Sequence, residues 1–319
     1  MRENFPVVLL ISNSLDFSSD YLITKIMERN IPYLRINSED IGRWRISYKS
    51  TQPRAFLPRF EFGDQQFNLS NLKGVYFKKA PTVFEKFVSF QFQDFLTREA
   101  REFFEGIYLG IEANWINDIF LTYRAERKLF QLKLAKSIGF AVPNTLVTND
   151  PEIINDFISD NFSIIKPISN GFVKNNDGLF SIFTNSVPIE YSIDCDKIIE
   201  TPIYLQEKID AEYDVRITVV GDEVFPVAIR KVDSDQVDWR RPNIKKEYLL
   251  TDIPTELKSA CKQITRRLGL KFSAIDLMKR GDEYVFLEIN PAGEWVWLEV
   301  ELGIPISQHI IKELVLEKT

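Results

Sequence analysis

The sequence predicts a mixed α/β protein, with α+β character, assembled from more than one unit. Three observations carry that expectation. The chain opens on a strand, helix, strand succession, it approaches its end on two strand patterns separated by turn residues, and its 319 residues exceed what one small core accommodates.

Residues 7–11, Val-Val-Leu-Leu-Ile, read as a buried strand, Ser12-Asn13-Ser14 as a polar turn, the stretch through Arg29 as a helix and residues 31–37 as a second strand. No Gly-x-Gly-x-x-Gly follows the first strand, so this opening lacks a dinucleotide fingerprint. A strand at 74–78 and a long helix over about 89–111 extend the first unit, which Asn114-Trp115-Ile116-Asn117 closes. Beyond Thr122, Leu129, Leu132, Ala135 and Ile138 recur at helical spacing, with Lys128 early on that helix and Gly139 as its stop. Residues 143–147 and 162–167 read as extended, with a helix from Pro151 between them. The polar stretch 169–178 carries two glycines and suits a phosphate cover and an ordinary surface loop equally. Strand patterns at 203–209 and 213–225 follow, the second turning at Gly221-Asp222; then come a basic loop at 238–243 and an amphipathic helix over 254–268.

Composition narrows the chemistry. A net charge of −6 argues against a surface built for nucleic acid. Cys195 and Cys261 have no paired spacing, hence neither a disulfide framework nor a zinc cluster is expected. The one histidine, His309, sits in an apolar helical segment, which removes Ser-His-Asp triads, Cys-His pairs and His-ligated zinc. Catalysis is left to carboxylates, Lys, Arg and a metal. No signal peptide and no membrane-length apolar run are visible, so a cytoplasmic protein without membrane contact is expected.

The C-terminal pair of strands is where chemistry gathers. Residues 273–278 and 284–291 flank Arg280-Gly281-Asp282-Glu283, a turn composition. Glu288 and Asn290 share a strand face, and a turn near Asp282 sets Asp276 roughly opposite Glu288. Two carboxylates and a carboxamide on one patch suit Mg²⁺, a hard ion held by oxygen; the alternative is a solvated hairpin face. Glu288 and Asn290 interrupt an otherwise apolar strand, and Pro291-Ala292-Gly293 follows at once.

Taken in order, Lys128 on its helix, Ile165-Lys166-Pro167 before a glycine-bearing loop, Gln206-Glu207-Lys208-Ile209, Asp214-Val215-Arg216, the basic loop at Arg240 and Asp276 with Glu288-x-Asn290 resemble the ATP-grasp carboxylate-amine ligases over residues 113–314. Within that superfamily the chain is most similar to the microviridin-type graspetide synthetases, which cross-link ribosomally made precursor peptides. The segments carrying this are 148–151, 214–221, Asp238-Trp239-Arg240, 286–299 and 303–306. Two motifs depart from that family: its usual Asn-Pro-Asn-Gly-Gln-Trp reads Asn-Pro-Ala-Gly-Glu-Trp at 290–295, and residues 76–81 read Tyr-Phe-Lys-Lys-Ala-Pro where Trp and Arg are common.

The resemblance implies an ATP-grasp fold with an N-terminal parallel α/β domain (1–120), a central lid (121–200) and a C-terminal antiparallel-sheet domain with the metal site (201–319). It implies ATP and Mg²⁺, with Lys128 and Lys166 on the phosphates, Gln206, Glu207 and Ile209 around adenine and Asp214 on the ribose. Asp276, Glu288 and Asn290 would hold the metal, and Arg216, Arg240 and Asn243 would stabilise the transferring phosphoryl group. The implied reaction activates Asp or Glu side chains of a precursor peptide, which carries a leader segment, and joins them to Lys amines or Ser/Thr hydroxyls. A homodimer is left open. Two other functions stay open on the residues alone: an amino-acid or small-molecule ligase of the same fold, and a non-catalytic nucleotide-binding scaffold. Arg216 has an alternative too, an ion pair with Asp214 on its own strand.

Overall fold

The computed structural model describes residues 2–48, 58–78, 92–169, 171–175, 178–232 and 244–316. Its first sheet is parallel, in the order Tyr33–Asn37, Val8–Ser12, Gly74–Phe77, Asn114–Ile116. The apolar run at the start of the chain takes an inner position there, with every residue of Val8–Ser12 buried, as a strand covered on both faces requires. One face packs against Phe104, Ile107 and Tyr108 of the Gln93–Leu109 helix. The other receives the Phe17–Met27 helix and the C-terminal Ile306–Val315 helix, whose Ile310, Ile311 and Leu314 share a core with Leu22, Ile26 and Tyr76. The chain thus ends on its own first domain.

A second, small sheet escapes the sequence reading. Arg2–Asn4, Gln65–Phe67, Arg59–Phe62 and Arg45–Ser47 pair in that order, three or four residues each, around Trp44, whose ring meets those of Phe60, Phe62 and Phe67. Strands this short give no alternation to read.

The central sheet is antiparallel, in the order Asn185–Val187, Ser163–Lys166, Ile203–Glu207, Thr145–Thr148. The Pro151–Asp160 helix covers it with Ile154 and Ile158. Its start was legible: Asp150 caps the N–H groups of Glu152 and Ile153, and Pro151 occupies the first turn, where its missing N–H costs nothing. The stretch read as a loop at 169–178 contributes a two-stranded hairpin instead, Phe172–Asn175 against Gly178–Ser181. The physical reason is in the sequence: Phe172-Val173 and Leu179-Phe180 are strand formers on either side of an Asp177-Gly178 turn signal.

Five antiparallel strands form the last sheet, in the order Lys245–Leu250, Glu223–Val232, Tyr213–Val220, Phe272–Arg280, Glu283–Asn290. One face is covered by the Lys128–Ile138 and Thr255–Arg267 helices through Leu134, Ala135, Cys261 and Ile264. Burial pushes the Cys261 thiol up to about 12, so it is packing, not chemistry. The stretch around Trp295 and Trp297, read as strand-like, is helical: Trp295 stands at the N-cap of Val296–Leu302, and Gly303 ends that helix in the left-handed region at φ 68°. Both tryptophans nevertheless pack, as expected, Trp295 fully buried and Trp297 against Tyr248 at 4.5 Å between ring centroids. His309 is half-buried beside the Phe225 ring. Among the described residues no helix is long and apolar enough to cross a membrane.

Candidate active site

A cleft of 1530 Å³ opens between the central sheet and the five-stranded sheet and reaches the first domain. Lys128, Lys166, Gln206, Glu207, Ile209, Asp214, Asp276, Glu288 and Asn290 all line it. Residues from four separate stretches of sequence therefore face one space. Arg240 and Asn243 lie outside the described residues, as do Lys79 to Pro81 of the departing N-terminal motif.

The carboxylate pair is set by strand register. Asp276 stands directly across from Glu288, and Ala274 across from Asn290, with a bulge beyond Asp276 that skips Leu287 before Leu277 meets Phe286. The bulge re-aims the strand at the point where the two carboxylates meet. Asp276 has a second partner across the sheet: Arg216 is opposite it, and the guanidinium Nε lies 3.0 Å from the Asp276 carboxylate. The alternative pairing of Arg216 with Asp214 is not adopted, because the register gives Arg216 a nearer carboxylate than its own strand does. Asp214, 4% exposed, has Lys231 at 3.9 Å instead. Asn290 turns the chain after the strand, its Oδ1 accepting the Ala292 N–H at 3.0 Å.

Gly293 completes that turn where nothing larger fits. A Cβ there would lie 2.4 Å from the Ala274 Cβ and 3.3 Å from an Arg216 guanidinium nitrogen. Gly293→Ala is accordingly expected to destabilise the protein by about 1–3 kcal/mol, read as a lower urea midpoint. It should also weaken the pairing of Arg216 with Asp276, since the loop must move off the guanidinium.

The two lysines reach the cleft from opposite walls. Lys128 is the first residue of its helix; its Nζ donates to Pro167 O at 2.6 Å and Ser169 O at 3.4 Å and lies 3.9 Å from Glu288. It thereby links the 166–169 segment to the carboxylate strand. Lys166 donates to Gln206 Oε1 at 2.9 Å, with its ammonium 4.9 Å from the Tyr204 ring centroid. Gln206, fully buried, passes the bond on from Nε2 to Thr145 Oγ1 at 2.9 Å and the Tyr204 hydroxyl at 3.2 Å. Burial, aided by the nearby Glu288 charge, pushes the Tyr204 phenol up to about 12, so it remains a neutral partner of this network. At the hinge, the Glu207 N–H donates to Asn144 O at 2.8 Å, and its carboxylate accepts the Asn144 N–H at 3.2 Å.

The donor set fits Mg²⁺. Among the described residues no three His, Cys, Asp or Glu side chains gather in one place, which leaves two carboxylates and a carboxamide on one sheet face. Such a set supplies part of an octahedral shell and leaves room for phosphate oxygens and water.

Three polar groupings at the site were not read from the sequence. Gln131, 3% exposed, bonds both sides of the Ile289 peptide, between Glu288 and Asn290. Asn117 donates to Phe272 O at 2.7 Å and Pro291 O at 2.8 Å, and accepts the N–H groups of Lys271 and Phe272 at 2.9 and 3.0 Å. It fastens the two ends of the carboxylate hairpin to the first domain. Buried Lys78 donates to Gly293 O at 3.1 Å and pairs at 3.1 Å with Glu294, which also accepts from Ser18. A signal for Gln131 was present: it shares the i, i+3, i+4 face of Leu134 and Ala135, the buried one, whereas Leu129 is 52% exposed.

Comparison with known proteins places this geometry. The macrocyclase MdnC of Microcystis aeruginosa MRC, solved bound with the precursor peptide MdnA, superposes with a TM-score of 0.83 at 26% identity, covering 97% of this chain and 99% of that one. A RiPP-associated ATP-grasp ligase of Chryseobacterium gregarium, solved with ADP and a leader and core peptide, gives 0.87 at 25% identity over 98% of this chain and 96% of its own. A probable alpha-L-glutamate ligase of Klebsiella pneumoniae (strain 342) is 23% identical over 201 residues, 61% of this chain; the match spans 65% of that relative's length. The model of the RimK-like ATP-grasp domain matches residues 125–314, more than half of the chain and the whole of the stretch that carries the lysines, the hinge and the carboxylate hairpin. This chain belongs to the RimK-like ATP-grasp family.

Proposed function

We propose that the protein is an ATP-dependent ligase that activates Asp or Glu side chains of a ribosomally made precursor peptide, recognised with its leader segment, and joins them to Lys amines or Ser/Thr hydroxyls. The observation that carries this reading is the single cleft in which two lysines and an opposed Asp276–Glu288 pair face each other. The likeness to MdnC and to the Chryseobacterium ligase over nearly the full length of all three chains supports the peptide as substrate.

A carboxylate acylates poorly because its leaving oxygen is strongly basic. Its oxygen attacks the γ-phosphorus of ATP, the β–γ bridge breaks, and ADP leaves an acyl-phosphate behind. The amine or hydroxyl then adds to the acyl carbon, loses its proton and expels inorganic phosphate, for a net loss of one water. Phosphoryl transfer asks the protein chiefly for positioning and charge compensation. Lys128 and Lys166 are assigned to the phosphates. Because the Glu207 N–H is given to Asn144, adenine recognition falls to the Glu207 carbonyl and the Ile209 backbone, with Gln206 behind them. Asp214 is assigned to the ribose. Asp276, Glu288 and Asn290 would hold Mg²⁺, which supplies charge neutralisation across the phosphate oxygens. Arg216 orients Asp276 and lies beside Gly293; Arg240 and Asn243 are assigned, from sequence, to the acyl-phosphate.

Mass spectrometry of the precursor co-expressed with this protein tests the proposal. The expected product has lost one water per cross-link, with ATP converted to ADP and phosphate. A gain in mass equal to an added amino acid would instead favour the second reading, a ligase that appends residues, which the Klebsiella relative's name supports.

A further inference from the structure

Glu283–Asn290 is the outer strand of its sheet, so one side of its backbone has no neighbouring strand to fix it. Helix Lys128–Ile138 and the turn after it take that place. The Ala141 carbonyl accepts the Phe286 N–H at 2.8 Å. Gln131, 158 residues away in sequence, donates from Nε2 to Ile289 O at 2.8 Å and accepts the Ile289 N–H on Oε1 at 3.1 Å. The same Nε2 donates to Ala125 O at 2.6 Å, which stops the amide from turning over. Ile289 points into the core while Glu288 and Asn290 point the other way, so a hold on both of its backbone groups sets the pleat that aligns those two side chains. Lys128 lies three positions before Gln131 on the same helix, a neighbour along its surface, and its ammonium is 3.9 Å from Glu288.

We infer that Gln131 is a positioning residue that couples the phosphate-directed Lys128 to the metal-directed pair Glu288 and Asn290, so that nucleotide and Mg²⁺ each strengthen the other's binding. The inference rests on the function proposed above and adds to it the device that keeps the two half-sites in register. Without the amide, the Ile289 N–H and two carbonyls lose their partners in a buried place, and strand and helix are free to slide apart. The two binding events then lose their shared reference, and by linkage the loss is reciprocal.

The test is calorimetric titration of the full chain with ADP, with and without Mg²⁺, for the wild type, Gln131→Met and Gln131→Glu. In the wild type Mg²⁺ is expected to tighten ADP binding. In Gln131→Met, close to isosteric, that enhancement should shrink about tenfold, within the usual span of coupling between sites, while Mg²⁺-free affinity changes less than about twofold, as expected when the lost term is the coupling itself. Gln131→Glu keeps an acceptor for the Ile289 N–H and loses the donor to both carbonyls, so it should lie between the two and serves if the Met variant does not fold. A purely structural role lowers the melting temperature and leaves the Mg²⁺ enhancement intact; that result in a folded variant overturns the inference alone. A wild type whose ADP binding ignores Mg²⁺ would overturn the proposed function and the inference with it.

Discussion

Glu288→Ala is expected to lower Mg²⁺-dependent, peptide-stimulated ATP turnover by about 10²- to 10³-fold, the usual cost of removing a group that stabilises transition-state charge. The fold should survive. Glu288 is half-buried at the edge of its sheet, and its charged neighbour Lys128 keeps hydrogen bonds to Pro167 O and Ser169 O when the carboxylate goes. Unfolding free energy should therefore change by no more than about 1 kcal/mol. Asn290→Ala should also remove most activity, because it deletes a metal-directed oxygen and the acceptor that shapes the turn to Gly293. Coupled assays of ADP and phosphate release decide it. Undiminished turnover in both variants, or release of AMP and pyrophosphate, would refute the assigned chemistry.

Lys166→Ala should weaken binding of a non-hydrolysable ATP analogue by about 10- to 100-fold, since a hydrogen bond to a charged phosphate contributes roughly 1.5–3 kcal/mol. Peptide affinity should stay nearly unchanged. The structure sharpens the expectation, because Lys166 does not dangle: Gln206 holds its ammonium at 2.9 Å and the Tyr204 ring lies beneath it. Its charge is already aimed, so little ordering entropy opposes the contact with phosphate. Calorimetry reads both affinities, and an unchanged nucleotide affinity would make Lys166 an ordinary wall of the cleft.

What was legible in the sequence was local. The carboxylate hairpin could be read because its turn residues and two short strands lie within twenty positions of each other, and side-chain alternation then fixes which face Glu288 and Asn290 share. Helix boundaries at Asp150-Pro151 and Gly139 were legible for the same reason, since caps act through neighbours. The contacts that assemble the site were not. Arg216 meets Asp276 only because two distant strands adopt one register among several, and Gln131 and Asn117 look like stray amides until the strands they fasten are beside them. Trp295 misled for a related reason: its alternation with Trp297 fits a strand, but the glycine seven residues beyond the tryptophans' helix start ends a short helix whose inner face they flank.

The pairing of Lys78 with Glu294 bears on how such enzymes can be recombined. The two stretches in which this chain departs from the graspetide synthetase motifs, 76–81 and 290–295, are the two sides of that contact, with Ser18 of the first domain as a third member. Sequence treats them as separate oddities more than two hundred positions apart; in space they are one seam between the peptide-activating loop and the amino-terminal half. A chimera that takes its first 120 residues from a relative would bring a different partner to Glu294 and leave that carboxylate facing the wrong group. Position 78 and position 294 therefore have to be exchanged as a pair, and a library that shuffles whole domains must carry the loop of one parent together with the third parallel strand of the same parent.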